Sequence, residues 1–374
     1  LIKYNNVNKI LFFTLFIAIS FTAFKYSTNL LSNFSDFSNL KNNYKVNALS
    51  DELIEKNYNK LSLLALDVKP GDEVIIPAFT YTATANAVEI IGAKPVLVDI
   101  TLEDFCIDVS KIESSITSKT KVIMPVHEFG NPAEMDEISK IARNYNLKII
   151  EDAACALGTE FNGKKTGTFG DLGCFSFHPR KAITTGEGGL IITEDNELAE
   201  KVKSLRNHGI SFNDNKINFT YPGFNYRMTD FQAALGIEQL NEIDFIIDHR
   251  IKVAKYYNEN FLNLSWVTTP TYKITNKANY QTYHLMVKQN INRELLIEDL
   301  KSKGIESGYG AYAVHMTHYY ENKYNYSPNS FNNARRSFCE GLALPIGTHV
   351  TKEDYMYVAN SIKSININRI KKTD

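Results

Sequence analysis

Glycine and proline are both missing from the first 69 residues. The first proline is Pro70, and all 19 glycines lie from Gly71 onward. That stretch therefore offers no residue suited to a close backbone approach to a ligand. Cysteine is scarce as well, with four in 374 residues (Cys106, Cys155, Cys174, Cys339) and no CxxC pair. This spacing argues against a zinc site or a disulfide framework, so no metal is expected and a reducing compartment is. Charge of one sign is not in excess: the formal net charge is −1, and no basic stripe interleaves with aromatics, so no nucleic-acid partner is expected. A long hydrophobic run is also lacking. The best, Ile10–Phe24, has 15 uncharged residues between Lys9 and Lys25, against about 20 for a membrane span, and membrane association is not expected. Its length suits a signal-peptide core, but no small-x-small cleavage site follows. A buried helix, an anchor, or sequence not native to the fold, such as an altered reading frame, remain open. Residues 1–50 are thus an atypical N-terminal segment.

From Gly71 the pattern becomes regular. Gly71-Asp72 is a turn signal before the apolar run Val74–Ile76. Thr82–Ile91 reads as a helix closed by Gly92, and Pro95–Asp99 as a strand. Further strands are expected over Lys121–Val126 and Leu147–Ile150, with a helix over Glu134–Tyr145 between them. Short apolar runs alternating with helices predict right-handed βαβ units and an α/β fold with a mainly parallel sheet. In such sheets chemistry gathers beyond the carboxyl ends of the strands. Polar motifs stand there: Phe79-Thr80-Tyr81, His127-Glu128 and Glu151-Asp152. A long helix over 245–262 leads to a smaller α+β region, with a strand at His284–Val287 and a helix at Arg293–Lys303. The expected division is a large domain over 51–245 and a small C-terminal domain over 246–374.

Within residues 151–193, Asp152 follows a buried strand, where a lone carboxylate is costly and a cation is needed. A protonated pyridine nitrogen would serve; a helix cap or a loop salt bridge would too. Lys181 lies in HPRKAITTGEGG between a strand and a glycine-rich turn. Such a lysine is either solvated or, if its basicity is lowered, a covalent amine. Ser176 and His178 flank it.

The order and spacing of these segments resemble the DegT/DnrJ/EryC1/StrS group of sugar aminotransferases. The matching stretches include GDEVIIPAFTYTATANAV, EDAA at 151–154, GTFGDLGCFSFHPRKAITTGEGG, RNHG at 206–209 and GFNYRMTDFQAALG at 223–236. The resemblance implies the aspartate-aminotransferase-like fold (fold type I), pyridoxal 5′-phosphate (PLP) as cofactor, and a cytoplasmic homodimer with shared active sites. The implied reaction moves an amino group from L-glutamate to a nucleotide-linked keto sugar, for cell-surface polysaccharide or glycoconjugate biosynthesis. Carried over by motif, Lys181 is the catalytic lysine that binds the cofactor covalently. Asp152 pairs with its pyridine nitrogen, Tyr81 stacks on its ring, Ser176 binds its phosphate, and Asn225 reaches a phosphate in the neighbouring subunit. Arg227 is a candidate for substrate contact; His315, His318, Tyr319 and Tyr320 are candidates too, or could equally be packing residues. Two departures stand out. Ile54-Glu55-Lys56 occupies the place of a Ser-Gly-Thr-like phosphate loop, with Ser50 as a substitute, and Cys155 replaces the Gln or His that commonly follows EDAA. The missing loop opens an alternative: a catalytically impaired relic or binding protein of the same fold.

Overall fold

A computed structural model describes residues 45–49, 57–213, 216–271, 273 and 275–372. The apolar run Ile10–Phe24, Ser50 and residues 54–56 lie outside the described residues. The chain runs through β1 (Lys45–Leu49), α1 (Asn57–Ala65), β2 (Glu73–Pro77), β3 (Phe79–Thr80), α2 (Ala83–Ile90), β4 (Lys94–Val98), β5 (Thr120–Ile123), α3 (Met135–Tyr145) and β6 (Lys148–Asp152). It continues through β7 (Glu160–Phe161), β8 (Lys164–Lys165), β9 (Leu172–Ser176), β10 (Gly189–Thr193), α4 (Asn196–Arg206), β11 (Ile210–Asn213), β12 (Lys216–Phe219), α5 (Asp230–Asn241) and α6 (Ile243–Phe261). Elements β2 to α3 match the expected strands and helices to within a few residues, since short apolar runs bounded by Gly, Pro and Asn leave little choice of period.

Seven strands form one sheet in the order β1-β10-β9-β6-β5-β2-β4. Strand β2 pairs in parallel with β4 and β5, β5 with β6, and β6 with β9. Strand β10 returns antiparallel to β9, with Ser176 opposite Gly189. The parallel strands are apolar on both faces and buried, as expected where helices cover both sides. Helix α1 is enclosed on nearly every side, with Tyr58, Leu61, Leu63 and Ala65 in the core. Its polar residues must therefore find partners inside: Asn59 donates to Asp152, Lys60 to the Tyr226 hydroxyl, and Ser62 meets Cys174 Sγ at 3.1 Å.

A second apolar core gathers α6 around a three-stranded antiparallel sheet of β13 (Val267–Thr268), β14 (Tyr283–Val287) and β15 (Gly341–Leu344). Residues after 245 are not confined to it, because Ala311, Val314, Tyr320 and Ala334 pack into the core of the large sheet.

Two buried carboxylates on neighbouring positions of β6 serve opposite faces, as the period-2 alternation of a strand requires. Glu151 accepts from the backbone N–H groups of Gly167, Phe169 and Gly170. It also lies 2.9 Å from His127 Nε2. Because the Ala133 N–H donates to His127 Nδ1, the ring proton sits on Nε2 and points at Glu151. This knot pins the loop after β5 to the end of β6.

His284, on β14, stacks on Phe129 at 4.4 Å and meets Phe105 edge-on at 4.9 Å. Burial lowers its pKa to about 3. Its folded value lies below its unfolded one, so the unfolded chain takes up the proton first. Stability from this site is present at neutral pH and lost as pH falls from about 6.5 towards 3. Urea unfolding at pH 7 and pH 5 should show a loss in the native chain that shrinks in His284→Leu by up to about 2 kcal/mol.

Candidate active site

Beyond the carboxyl ends of β2, β5, β6 and β9 lies a pocket lined by Tyr58, Asn59, Thr80, Tyr81, Thr84, Glu128, Asp152, Cys155, Ser176 and Lys181, among others. Asp152 ends β6 and is almost fully buried. Its Oδ2 accepts from Asn59 Nδ2 at 2.7 Å and from Thr84 Oγ1 at 2.8 Å, and its Oδ1 accepts from the Ala154 N–H at 3.2 Å. Among the described residues three donors hold the carboxylate, and Oδ1 keeps capacity for another. Asn59 Oδ1, buried beside it, has no hydrogen-bond partner among the described residues.

Lys181 sits in the loop joining β9 to its antiparallel neighbour β10. The loop closes on itself: the Phe177 N–H donates to Gly188, and the Lys181 N–H to His178. Helix α5 clasps it from outside. Gln239 accepts from the Thr184 N–H and donates to its carbonyl, while Gln232 donates to the Glu187 carbonyl. Gly189 is required here, since an added Cβ would fall 2.1 Å from the Tyr58 ring and 2.3 Å from the Phe175 carbonyl oxygen. Lys181 Nζ reaches Cys155 Sγ at 3.3 Å. Burial pushes the Cys155 thiol up to about 11, against the pull of Lys181, so the thiol keeps its proton.

Tyr81, just past β3, is 42% exposed and presents its ring on the pocket wall, 6.3 Å from Tyr312. Ser176 ends β9, buried, and its Oγ accepts from the His178 N–H. A wider cleft adjoins the pocket and shares four lining residues with it: Tyr81, Glu128, Cys155 and Lys181. Arg180, Gln281, Tyr309 and His349 also line the cleft.

The structure thus brings Lys181, Asp152, Tyr81 and Ser176 to one pocket. Asn225 and Arg227 lie apart from it, exposed, with Arg227 Nη1 donating to Asn207. His315 and Tyr320 reach neither cavity. His315 is buried against Phe331 and bonded to the Pro328 carbonyl, and Tyr320 donates to Asn86 from the core. His318 and Tyr319 belong to a helix, His318–Tyr324, whose exposed polar atoms pair with Asn322 and Glu89. Two pocket residues went unassigned in the sequence. Asn59 lies in the first turn of α1, and Glu128 stands five residues past β5; neither position declares its role from its sequence neighbours.

Fold and site together define a PLP enzyme of the aspartate-aminotransferase type. The chain belongs to the DegT/DnrJ/EryC1/StrS aminotransferase family, whose model matches residues 57–363. Among its relatives, GDP-perosamine synthase of Caulobacter vibrioides is 40% identical over 297 residues, 79% of each chain. Spore coat polysaccharide biosynthesis protein SpsC of Bacillus subtilis is 34% identical over 318 residues, 82% of each. Among solved structures, DesV of S. venezuelae in complex with a ketimine intermediate superimposes with a TM-score of 0.79 at 29% identity, covering 88% of this chain and 85% of that one. These similarities give no support to the impaired relic.

The pocket fits PLP by its donors and acceptors. A protonated ring nitrogen would supply a donor for Asp152 Oδ1, or for Asn59 Oδ1, which lacks a partner among the described residues; Lys181 would supply an amine, and Ser176 a hydroxyl for a phosphate. Since Thr84 bonds a carboxylate, Thr84→Val should cost about 1.5–3 kcal/mol in urea unfolding, with Thr84→Ser close to the native chain.

Proposed function

We propose that this chain moves an amino group from L-glutamate to a nucleotide-linked keto sugar, in the cytoplasm, for cell-surface polysaccharide or glycoconjugate biosynthesis. The observation that carries this reading is the convergence of an amine, Lys181, and a buried carboxylate, Asp152, on one pocket beside an open cleft. Bound PLP supplies an electron sink and a carrier for the amino group. Lys181 binds the cofactor covalently and, once displaced by substrate, its Nζ moves the proton to and from the substrate carbon. Asp152 holds the ring nitrogen protonated, Tyr81 covers the ring face, and Ser176 binds the phosphate. The GDP-linked product named for the Caulobacter relative makes GDP-linked keto sugars the first to assay.

A homodimer with shared sites is part of the same reading. Phe212, Ile217, Phe219, Phe231, Leu235 and Phe245 are all exposed within one stretch of chain that also carries Asn225 and Arg227. Apolar exposure on this scale marks an interaction surface. A second copy covering it would bring Asn225 towards the neighbour's cofactor phosphate, as its motif implies.

Two measurements test this. Purified protein loaded with PLP should change its absorption on addition of L-glutamate. Lys181→Ala should abolish the change, a loss greater than about 100-fold, with native circular dichroism. Asp152→Asn should slow it strongly in a single turnover. Retained conversion in Lys181→Ala would overturn the assignment. In light-scattering chromatography the native chain should run as a dimer and Phe231→Glu should shift towards monomer; an unchanged mass would remove that surface from the interface.

A further inference from the structure

Glu128 is a buried carboxyl at the meeting point of the two cavities. The strand β5 and the turn Glu128–Gly130 place it there: Phe129 adopts φ 58° and is anchored by its stack on His284, so the residue before it turns into the site. Of the four residues shared by pocket and cleft, Tyr81 offers a ring, Lys181 is committed to the cofactor, and the Cys155 thiol is too weak an acid to give up its proton. Glu128 alone among the four is free for proton exchange with a molecule in the cleft.

Burial first, and the Asp152 charge second, push Glu128 up to about 8, against the opposing pulls of Lys181, the Thr80 side chain and the Phe129 N–H. A buried carboxyl placed between pocket and cleft is thereby kept as a proton donor at neutral pH. The other titratable groups facing it are Cys155, Cys106 and Tyr81, with Arg180, Glu306, Tyr309 and His349 lining the cleft beyond.

We propose that Glu128 is a second proton-transferring residue of this site, touching the carbonyl oxygen of the keto substrate and exchanging protons with it as that oxygen leaves as water. The inference rests on the aminotransferase reading above. When an amine replaces a carbonyl oxygen, a C=N bond forms, the C–O bond breaks, and both hydrogens of the nitrogen end on the departing water. Glu128 serves both transfers in turn: each time it gives a proton to the oxygen and recovers one from the nitrogen, so it ends as it began. In the L-glutamate half the same exchange runs in reverse, with water entering as 2-oxoglutarate is released.

The test uses full-length protein loaded with PLP, with L-glutamate as the probe, over pH 6–10. The native chain should release 2-oxoglutarate with a pH dependence whose midpoint is near 8. Glu128→Gln, an isosteric neutral amide, should bind L-glutamate as before, release 2-oxoglutarate at least about 100-fold more slowly, and lose that midpoint. Glu128→Asp should restore part of the rate and the midpoint, and carries the test if the Gln variant fails to fold. Without L-glutamate, the absorption band of bound PLP should respond near pH 8, where Glu128 acquires its charge, and Glu128→Gln should lose that response. If both variants match the native rate and band titration, the proposal is overturned. If the native chain itself binds PLP but releases no 2-oxoglutarate, the aminotransferase reading falls instead.

Discussion

A carboxylate buried at the end of a central strand constrains everything around it. Asp152 is satisfied there by Asn59, Thr84 and the Ala154 N–H, which converge on it. Those donors come from α1, from α2 and from the chain just after β6, so three separate parts of the fold must be in register before the charge is tolerated. The neighbouring Glu151 imposes a matching demand on the opposite face, where loop 167–170 and His127 satisfy it. The strand end is therefore rigid on both sides. That rigidity suits the ring-nitrogen contact proposed for Asp152.

The electrostatics of the site follow from the same crowding. Asp152, Glu128 and Lys181 lie close enough to perturb one another, and burial removes the water that would screen them. One carboxyl is held by donors, the other is pushed towards its neutral form, and the thiol between them stays protonated. Two acidic side chains of one pocket thus meet different surroundings, one ringed by donors and the other set against burial and a like charge.

Most of the large sheet was legible from residue order, because buried parallel strands are short apolar runs and their connections carry Gly, Pro and Asn at the turns. Strands β2, β4, β5 and β6 and helices α2, α3 and α6 follow this rule. The pocket was legible where polar residues stand just past such strands, as with Tyr81, Asp152 and Ser176. Asn59 and Glu128 were less so, because their roles depend on what lies across the pocket rather than on their own neighbours in sequence. His315 and Tyr320 looked like pocket residues from composition alone. They are packing residues in the fold, since the segment around Val314 turns inward against the large core.

The loop that carries Lys181 is braced on its outer side by two glutamines of α5, Gln232 and Gln239, and Gln232 also completes the capping box that starts this helix. The same helix exposes Phe231 and Leu235. A single helix thus acts as a mechanical lever: whatever grips its outward face also stiffens the segment holding the amine. The segment that holds the amine and the surface proposed for a second copy thus share the order of one twelve-residue element.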